Sequence, residues 1–503
     1  MGVSTIEKHD IEARLTAERH RNSLRLQGPE NCTLNQGNSN IVDFDDLHDS
    51  HNPINWTLRK KVYTSLLYSL TSLTSVWAST AYAPGNQSIA NEFNLSPTIA
   101  LLGSCFLLAG WAFGPLIWAP LSELYGRKWP VLVPVFISTV MSFATATAKD
   151  IQTILITRFF NGFFGSAPIT STGAVFVDLW SPSQRGMAIV GYTFCVCGVP
   201  TLAPVVGGVI IYSGISWRWT EYITGILQAV VLFFDVIFIH ESYVPVLLTR
   251  KAQALRRNTG NWALHSEWEE KEIIVKDLAV KYGLRPLQML VTPICLCITI
   301  YTAFIYALYY ASLESFPIIF QQTRNWDNLF GSLPYLALLL GVTLGVLLNM
   351  LSQSYYIAKS KANNFRAVPE ARLPQMIIGS YALAVSLFII GWTSTKSIHW
   401  IAPVTGIVLM GFGYYAVFTS AINYLVDTFQ RWGASALAAN TFARSGLAAA
   451  LPLAIEPMFR ALGNGWAYSV LGFFATVNIL VPHVFYFYGH DIRRQGRYSS
   501  NVG

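Results

Sequence analysis

Long apolar stretches alternate with short polar ones from residue 62 to residue 488. Twelve of them carry few or no charges: 62–83, 99–120, 129–147, 152–177, 186–211, 219–240, 291–315, 328–352, 374–393, 400–425, 435–458 and 466–488. A hydrocarbon layer about 30 Å thick is crossed by about 20 helical residues, so each stretch predicts one membrane-spanning helix. The sixth is the least apolar, because Glu221 and Asp235 lie within it. Six stretches precede a basic connection and six follow it. The expected organisation is an all-α membrane protein of twelve transmembrane helices in two six-helix halves, 59–240 and 291–488. Around them lie an N-terminal tail, 1–58, a central loop, 241–290, and a C-terminal tail, 489–503. The halves share a hydropathy pattern and no residue-level repeat. Two such halves with a binding site between them at the midplane is one plan of secondary transporters.

The tail 1–58 has no hydrophobic periodicity and is expected to be disordered. It also lacks the apolar core of a secretory signal, so the first spanning stretch is expected to act as its own insertion signal. In the central loop, RKAQALRRNTGN and SEWEEKEIIVKDLAVKYG read either as short charged helices on the inner surface or as solvated linker.

Composition agrees with a bilayer as the surroundings. The chain is 52% hydrophobic and 12% charged, about half the charge of an average soluble protein. Basic residues enrich cytoplasmic loops. With a cytoplasmic N-terminus, the inner loops hold Arg127, Lys128, Arg185, eight basic residues of the central loop, Lys359, Lys361, Arg366, Arg372 and Arg431. The outer loops hold Lys149, Arg218, Arg324, Lys396 and Arg460. Sixteen against five places both termini in the cytoplasm of a multi-pass cell-membrane protein. The net charge of +7 then reflects anchoring at the inner surface and gives no reason to expect nucleic acid. Five of the six cysteines fall in apolar stretches, and the two C-x-C pairs point to different helix faces. They read as packing residues, with no metal or cofactor expected. Asn86-Gln-Ser, in the first outer loop, is an acceptor pattern for a glycan.

The turn APLSELYGRK, 119–128, concentrates Glu123, Arg127 and Lys128 between the second and third stretches. Gly126 permits a backbone conformation that other residues resist. Glu123 and Arg127 are four apart and reach each other if the helix continues. The turn resembles motif A of the major facilitator superfamily, G-x-L-A-D-R-x-G-R-K. Leu121, Gly126, Arg127 and Lys128 match; Ala119, Ser122, Glu123 and Leu124 replace its first Gly, Ala, Asp and first Arg. TRFFNGFFGSAP is similar to motif B, with Arg158 and Gly162 at its R-x-x-x-G positions and Asn161 in place of Gln. GVPTLAPVVGG, with Gly198, Pro200, Pro204, Gly207 and Gly208, resembles the antiporter motif C, with Ala203 where a Gly is common. SWRWTEYITGI, ESYVPVLLTRKAQALRRNTGN, PEARL and the stretch from Asn440 to Arg444 complete a pattern similar to fungal drug:proton antiporters of twelve spans. It covers the chain from NPINW at 52 onward.

That resemblance implies the major facilitator fold and a latch at the cytoplasmic mouth. Asp178 would join Glu123 and Arg127 there, with the N-terminal end of the eleventh helix, near Gly433 to Ser435, offering its positive dipole. It also implies a kinked fifth helix that seals one side against protons, and a proton- or substrate-handling role for Arg158. The eighth-helix pattern GVTLG, 341–345, is suited to tight packing, and family architecture pairs that helix with the fifth across the halves.

The rare charges inside apolar stretches point the same way. An Arg at a helix centre costs about 2.5–3.5 kcal/mol on insertion scales, so Arg158 must face a polar cavity or a partner. Arg444, four residues after Asn440 and on the same face, is a second buried cation whose role is structural or functional. Proton coupling needs a carboxyl, and candidates are few. Glu314 follows Tyr306 and Tyr310 at steps of four, one aromatic and acidic stripe suited to flat or cationic ligands; with Pro317 close by it reads alternatively as a rim residue. Asp235 is the second candidate. No spanning stretch holds a His cluster, an H-E-x-x-H, a G-x-S-x-G or a phosphate loop, so an enzyme is not expected. The expected function is proton-coupled export of amphipathic small molecules by a monomer, as drugs, fungicides or a fungal metabolite or toxin. A facilitator or uptake symporter of the same fold is the alternative.

Overall fold

The computed structural model of the chain describes residues 40–46, 49–270, 285–363, 368–429 and 432–495. Its long helices are α1 (Leu58–Thr80), α2 (Pro97–Leu124), α3 (Trp129–Ala146), α4 (Ile151–Leu179), α5 (Pro182–Cys197, running through a 3-10 turn Val199–Leu202 into Ala203–Tyr212), α6 (Arg218–Phe238), α7 (Pro293–Pro317), α8 (Pro334–Ala362), α9 (Leu373–Thr393), α10 (Ile401–Phe429), α11 (Gly433–Asn478) and α12 (Leu480–Gln495). The described residues form no strand; a backbone bridge joins Ile41 and His265.

Nine segments among the described residues are long and apolar enough to cross a membrane. Helices α1 and α4 are as long but more polar, and the chain accommodates their polarity internally. In α1 the hydroxyls of Ser69, Thr71, Ser72 and Ser75 donate to carbonyls one turn back. This satisfies each hydroxyl where lipid could not. In α4 the polar burden is Arg158. The ninth segment, Ser435–Arg494, has 60 residues, about 90 Å as a straight helix and far beyond a bilayer. It turns at Gly463, whose φ of +73° favours glycine. Across that turn the rings of Phe459 and Tyr468 lie 5.2 Å apart. The turn separates the eleventh apolar stretch from the twelfth.

Within each half, helices approach until a backbone meets a glycine. A Cβ on Gly162 of α4 would lie 2.0 Å from the Leu107 carbonyl oxygen of α2. A Cβ on Gly341 of α8 would lie 2.0 Å from the Val408 carbonyl oxygen of α10. The repeat missing from the residues is thus present in the packing. It corrects one expectation: the glycines of GVTLG face α10 in their own half, because the close approach is there. Helix α7 is the most enclosed, with 83% of its apolar window buried against 33% for α6. Lipid-facing side chains such as Phe233, Val236 and Ile237 cover α6 instead.

In the central loop, RKAQALRRNTGN is helical as far as Thr259, within Val244–Thr259; most of SEWEEKEIIVKDLAVKYG lies outside the described residues. The expectation of a disordered tail needs correction for residues 40–46 and 49–57. Val42 and Trp56 are buried, Val42 donates its N–H to the His265 carbonyl at 2.8 Å, and Lys251 Nζ donates to Asp45 Oδ1 at 2.6 Å. The central loop supplies a docking surface that tail composition does not reveal. Asp49 closes this strap by accepting the His51 backbone N–H at 2.8 Å. That bond holds its carboxyl at about 2, below the ordinary 3.8. A carboxyl lowered on folding stabilises above its ordinary value and loses that contribution as pH falls through the folded value. The strap is therefore expected to stay docked at neutral pH and to loosen between about pH 4 and pH 2. Asp49→Asn should loosen it already at neutral pH, read by faster amide exchange over residues 49–56; unchanged exchange in that variant would contradict the assignment.

Candidate functional site

The seam between the halves is lined by aromatic side chains of α7 and α10. Tyr306, Tyr310 and Glu314 lie on one face of α7, as their spacing predicts. Tyr310 shares a hydrogen bond of 2.8 Å with Ser79 of α1, in the other half. Tyr306 packs edge-on against Tyr310 at 5.2 Å and stacks with Phe418 at 6.0 Å. Tyr309 stacks with Tyr414 at 5.0 Å, and the Tyr414 hydroxyl lies 4.0 Å from Cys197 Sγ of α5. Phe113 of α2 meets Phe442 of α11 at 5.9 Å. Beside Glu314 is a cavity lined by Ser104, Cys105, Leu108 and Tyr310, of about 10 Å³, room for roughly one water. The centre is closed in this conformation.

Both ends of the seam are closed as well. At one end, a Cβ on Gly208 of α5 would lie 2.6 Å from Ser332 Oγ, just before α8. At the other end, a Cβ on Gly186 of α5 would lie 2.4 Å from Gln353 Nε2 of α8. Between these contacts α5 is broken. Gly198, Pro200 and Pro204 interrupt it with the 3-10 turn, in which the Pro200 carbonyl accepts the Ala203 N–H and also Thr80 Oγ1 of α1, the latter at 3.0 Å. A Cβ on Gly207 would lie 2.8 Å from Pro84.

Asn86 does not present a free acceptor for a glycan. It is 8% exposed and its Nδ2 donates to Glu314 Oε1 at 2.9 Å. The short helix Asn86–Glu92 folds it inward from the outer loop. The sequon is spent on a contact between the halves.

Arg158 and Asp235 lie away from the seam, inside the first half. Arg158 is fully buried. It donates to Glu221 Oε1 at 3.1 Å and to the carbonyls of Ala78 at 2.8 Å and Gly103 at 3.2 Å, and its guanidinium lies 4.5 Å from the Tyr82 ring centre. Asp235 accepts from Thr71 Oγ1 at 2.6 Å. Glu221 is a partner that the sequence reading passed over as a blemish in the sixth stretch. A signal for it exists: Glu221, Gln228 and Asp235 are seven apart, two helical turns, and face the same way. Gln228 accepts from Ser142 Oγ of α3 at 2.8 Å. The three bind α6 to α4, α3 and α1. Arg444 of α11 is placed against Tyr306 and Phe418, and Asn440 donates to Thr302 of α7.

Beside the central loop, Arg127 Nε donates to Asp178 Oδ2 at 3.1 Å. The pairing expected with Glu123 is not the one formed. Helix α2 ends at Leu124, and the chain turns at Gly126 with φ +92°, so the four-residue helical spacing is lost. Arg127 Nη1 donates to Ser122 Oγ at 3.1 Å, and its guanidinium lies 4.6 Å from the Tyr243 ring centre. The missed member is Glu241, just after α6. Its carboxylate accepts backbone N–H groups of Arg127 at 2.8 Å, Lys128 at 3.2 Å, and Ser242 and Tyr243 each at 3.0 Å. A Cβ on Gly126 would lie 2.3 Å from Glu241 Oε2, so glycine is required twice, for φ and for room.

The second half repeats the arrangement. Arg372, in PEARL before α9, donates to Asp427 Oδ2 near the end of α10 at 3.1 Å and to Gln353 at 2.7 Å, with its guanidinium 3.4 Å from the Tyr356 ring centre. Glu370 accepts from Arg493 of α12. Gln353 thus links this clamp to the inner contact at Gly186. The described residues contain no group of His, Cys, Asp and Glu able to hold a metal ion.

Comparison with known proteins identifies the architecture. The profile of the Major Facilitator Superfamily matches residues 68–452. The chain is 48% identical over 460 residues to "Efflux pump bik6" of Gibberella fujikuroi, covering 91% of this chain and 95% of that protein. It is 37% identical to "Major facilitator superfamily multidrug transporter FLU1" of Candida albicans, over 91% and 76% of the two chains. It is 36% identical to "Citrinin biosynthesis cluster MFS transporter mrr1" of Monascus ruber, over 91% and 92%. Among solved structures, a partially occluded inward open form of the xylose transporter XylE from E. coli superposes with a TM-score of 0.60 at 14% identity, covering 86% of this chain and 98% of that one; at that identity the likeness concerns the fold alone. The repeated glycine packing, the broken α5, the clamped turn after α2 and these matches have one common explanation: the chain belongs to the Major Facilitator Superfamily.

Proposed function

We propose that this chain exports amphipathic small organic molecules across the cell membrane in exchange for protons, by rocking two six-helix halves about the seam. The chain crosses the bilayer twelve times, works as a monomer and keeps both termini in the cytoplasm. Its relatives named as an efflux pump and a multidrug transporter support the direction. The observation that carries the reading is the Asn86 to Glu314 hydrogen bond, because it joins the halves through a carboxylate beside the central rings. Ionised, Glu314 is an acceptor held by that amide. Protonated, it loses its charge and gains a donor, which weakens the amide contact and removes a reason for the outer side to stay shut. Substrate and proton thereby compete for one conformational change.

Arg158 serves this scheme by holding α1, α2, α4 and α6 together, so that the first half moves as one body. Breaking such a buried pair from one side costs about 3–5 kcal/mol. The broken α5 seals the outer side through Gly208, and the Arg127 clamp fixes the inner ends of α2, α4 and α6. Helix α11 begins at Gly433 with its positive dipole end facing the cytoplasmic side.

The test is efflux from cells lacking their own pumps, across a panel of toxic compounds, with and without a collapsed proton gradient. Export that stops on uncoupling is expected, and Glu314→Gln should lower it by about tenfold or more, equivalent to about 1.4 kcal/mol, at unchanged membrane abundance. Export that persists after uncoupling would remove proton exchange, and accumulation in place of export would establish uptake. Arg127→Ala should lower export and expose inner-end positions to cysteine reagents, because it frees Asp178 and unstacks Tyr243. Wild-type export with wild-type labelling in that variant would show that the clamp plays no part in the cycle.

A further inference from the structure

Arg444 is a buried cation for which the described residues supply no anion. It is 9% exposed, yet its Nε has no hydrogen-bond partner, and no carboxylate among the described residues pairs with it. The other enclosed guanidinium groups are treated differently: Arg127 has Asp178, Arg158 has Glu221 and Arg372 has Asp427. What Arg444 has are two ring faces, Tyr306 at 4.8 Å and Phe418 at 5.1 Å. Contacts with ring faces offset only part of the cost of burying an ion. A counter-ion that arrives with a ligand makes up the difference. One helical turn away, Asn440 Oδ1 is also buried without a donor. A lone donor and a lone acceptor thus sit on one face of α11, beside the stacked rings of Tyr306 and Phe418.

We propose that Arg444 and Asn440 bind a planar aromatic anion, with its carboxylate or acidic phenolate on Arg444 and a neighbouring hydroxyl on Asn440 Oδ1, flanked by Tyr306 and Phe418. This rests on the seam being the substrate site of the exporter proposed above, and it narrows the substrate class from amphipathic compounds in general to flat organic acids. It also reverses the preference for cationic ligands that the aromatic stripe alone implied. All four residues belong to the second half, and parting of the halves uncovers the face they share.

The inference is tested by binding, independently of transport. The full-length protein in lipid nanodiscs is titrated with 1-naphthoate and with 1-naphthamide, which has the same shape and no charge. Naphthoate is expected to bind about tenfold more tightly, as a charge-assisted bond to a guanidinium requires. Arg444→Gln should close the gap between the probes, and Arg444→Lys, which keeps the charge and loses the planar fork, should restore part of it. Equal affinity for the two probes, absence of binding by both, or a gap that persists in Arg444→Gln overturns the assignment. The wild-type comparison needs no variant, so misfolding of a mutant cannot decide the result. Gradient-driven export together with probe indifference would sink this inference and leave the transporter standing; selective naphthoate binding without export would do the reverse.

Discussion

Inside hydrocarbon no water is present to satisfy a charge or a freed backbone group, so each must be matched by the protein or carried to a cavity. This chain sorts its polar groups by that rule into two sets. One set is matched within a half: Arg158 with Glu221 and with the carbonyls of Ala78 and Gly103, and Gln228 with Ser142. The other set lies on the seam and is matched thinly: Glu314 by one amide, Tyr310 by one hydroxyl, Arg444 by two rings. Strong pairing inside and weak pairing between are what allow two bodies to move against each other without either unfolding. The seam contacts are ring packing and single hydrogen bonds, each worth about 1 kcal/mol. A ligand or a proton can shift an equilibrium of that size.

The duplicated clamp follows from the same division. In each half an Arg in the turn before the third helix, Arg127 or Arg372, reaches an Asp near the end of the fourth, Asp178 or Asp427. Each guanidinium also lies over a Tyr, 243 or 356. The two sites pin corresponding ends of their halves. Through Gln353 the second touches the first half at Gly186, which makes the inner seal a joint property of both.

Much of the helical plan was legible because a bilayer imposes a length, and few other patterns supply about 20 apolar residues repeatedly. Pro200, Pro204 and Gly198 announced the break in α5, and the step of four placed Tyr306, Tyr310 and Glu314 on one face. Pairings far apart in the chain were not legible. Glu221 looked like an intrusion until Arg158, sixty-three residues earlier, was seen against it, although its spacing from Gln228 and Asp235 marked a buried polar face. The Glu123 pairing failed because it assumed a helix that Gly126 ends. Asn86 read as a surface sequon because its neighbours are polar, and only the inward course of Asn86–Glu92 shows its amide to be occupied. PEARL gave no sign of its partner, since an ion pair between Arg372 and Asp427 depends on the fold alone.

The central claim is that contacts at the outer and inner ends of the seam are made in turn. It is tested most directly by tying one end shut with paired cysteines, Gly186→Cys with Gln353→Cys, in a background without the native ones. The account predicts that oxidising this pair stops export and that reduction restores it. Export at the uncrosslinked rate with that end covalently closed would contradict it.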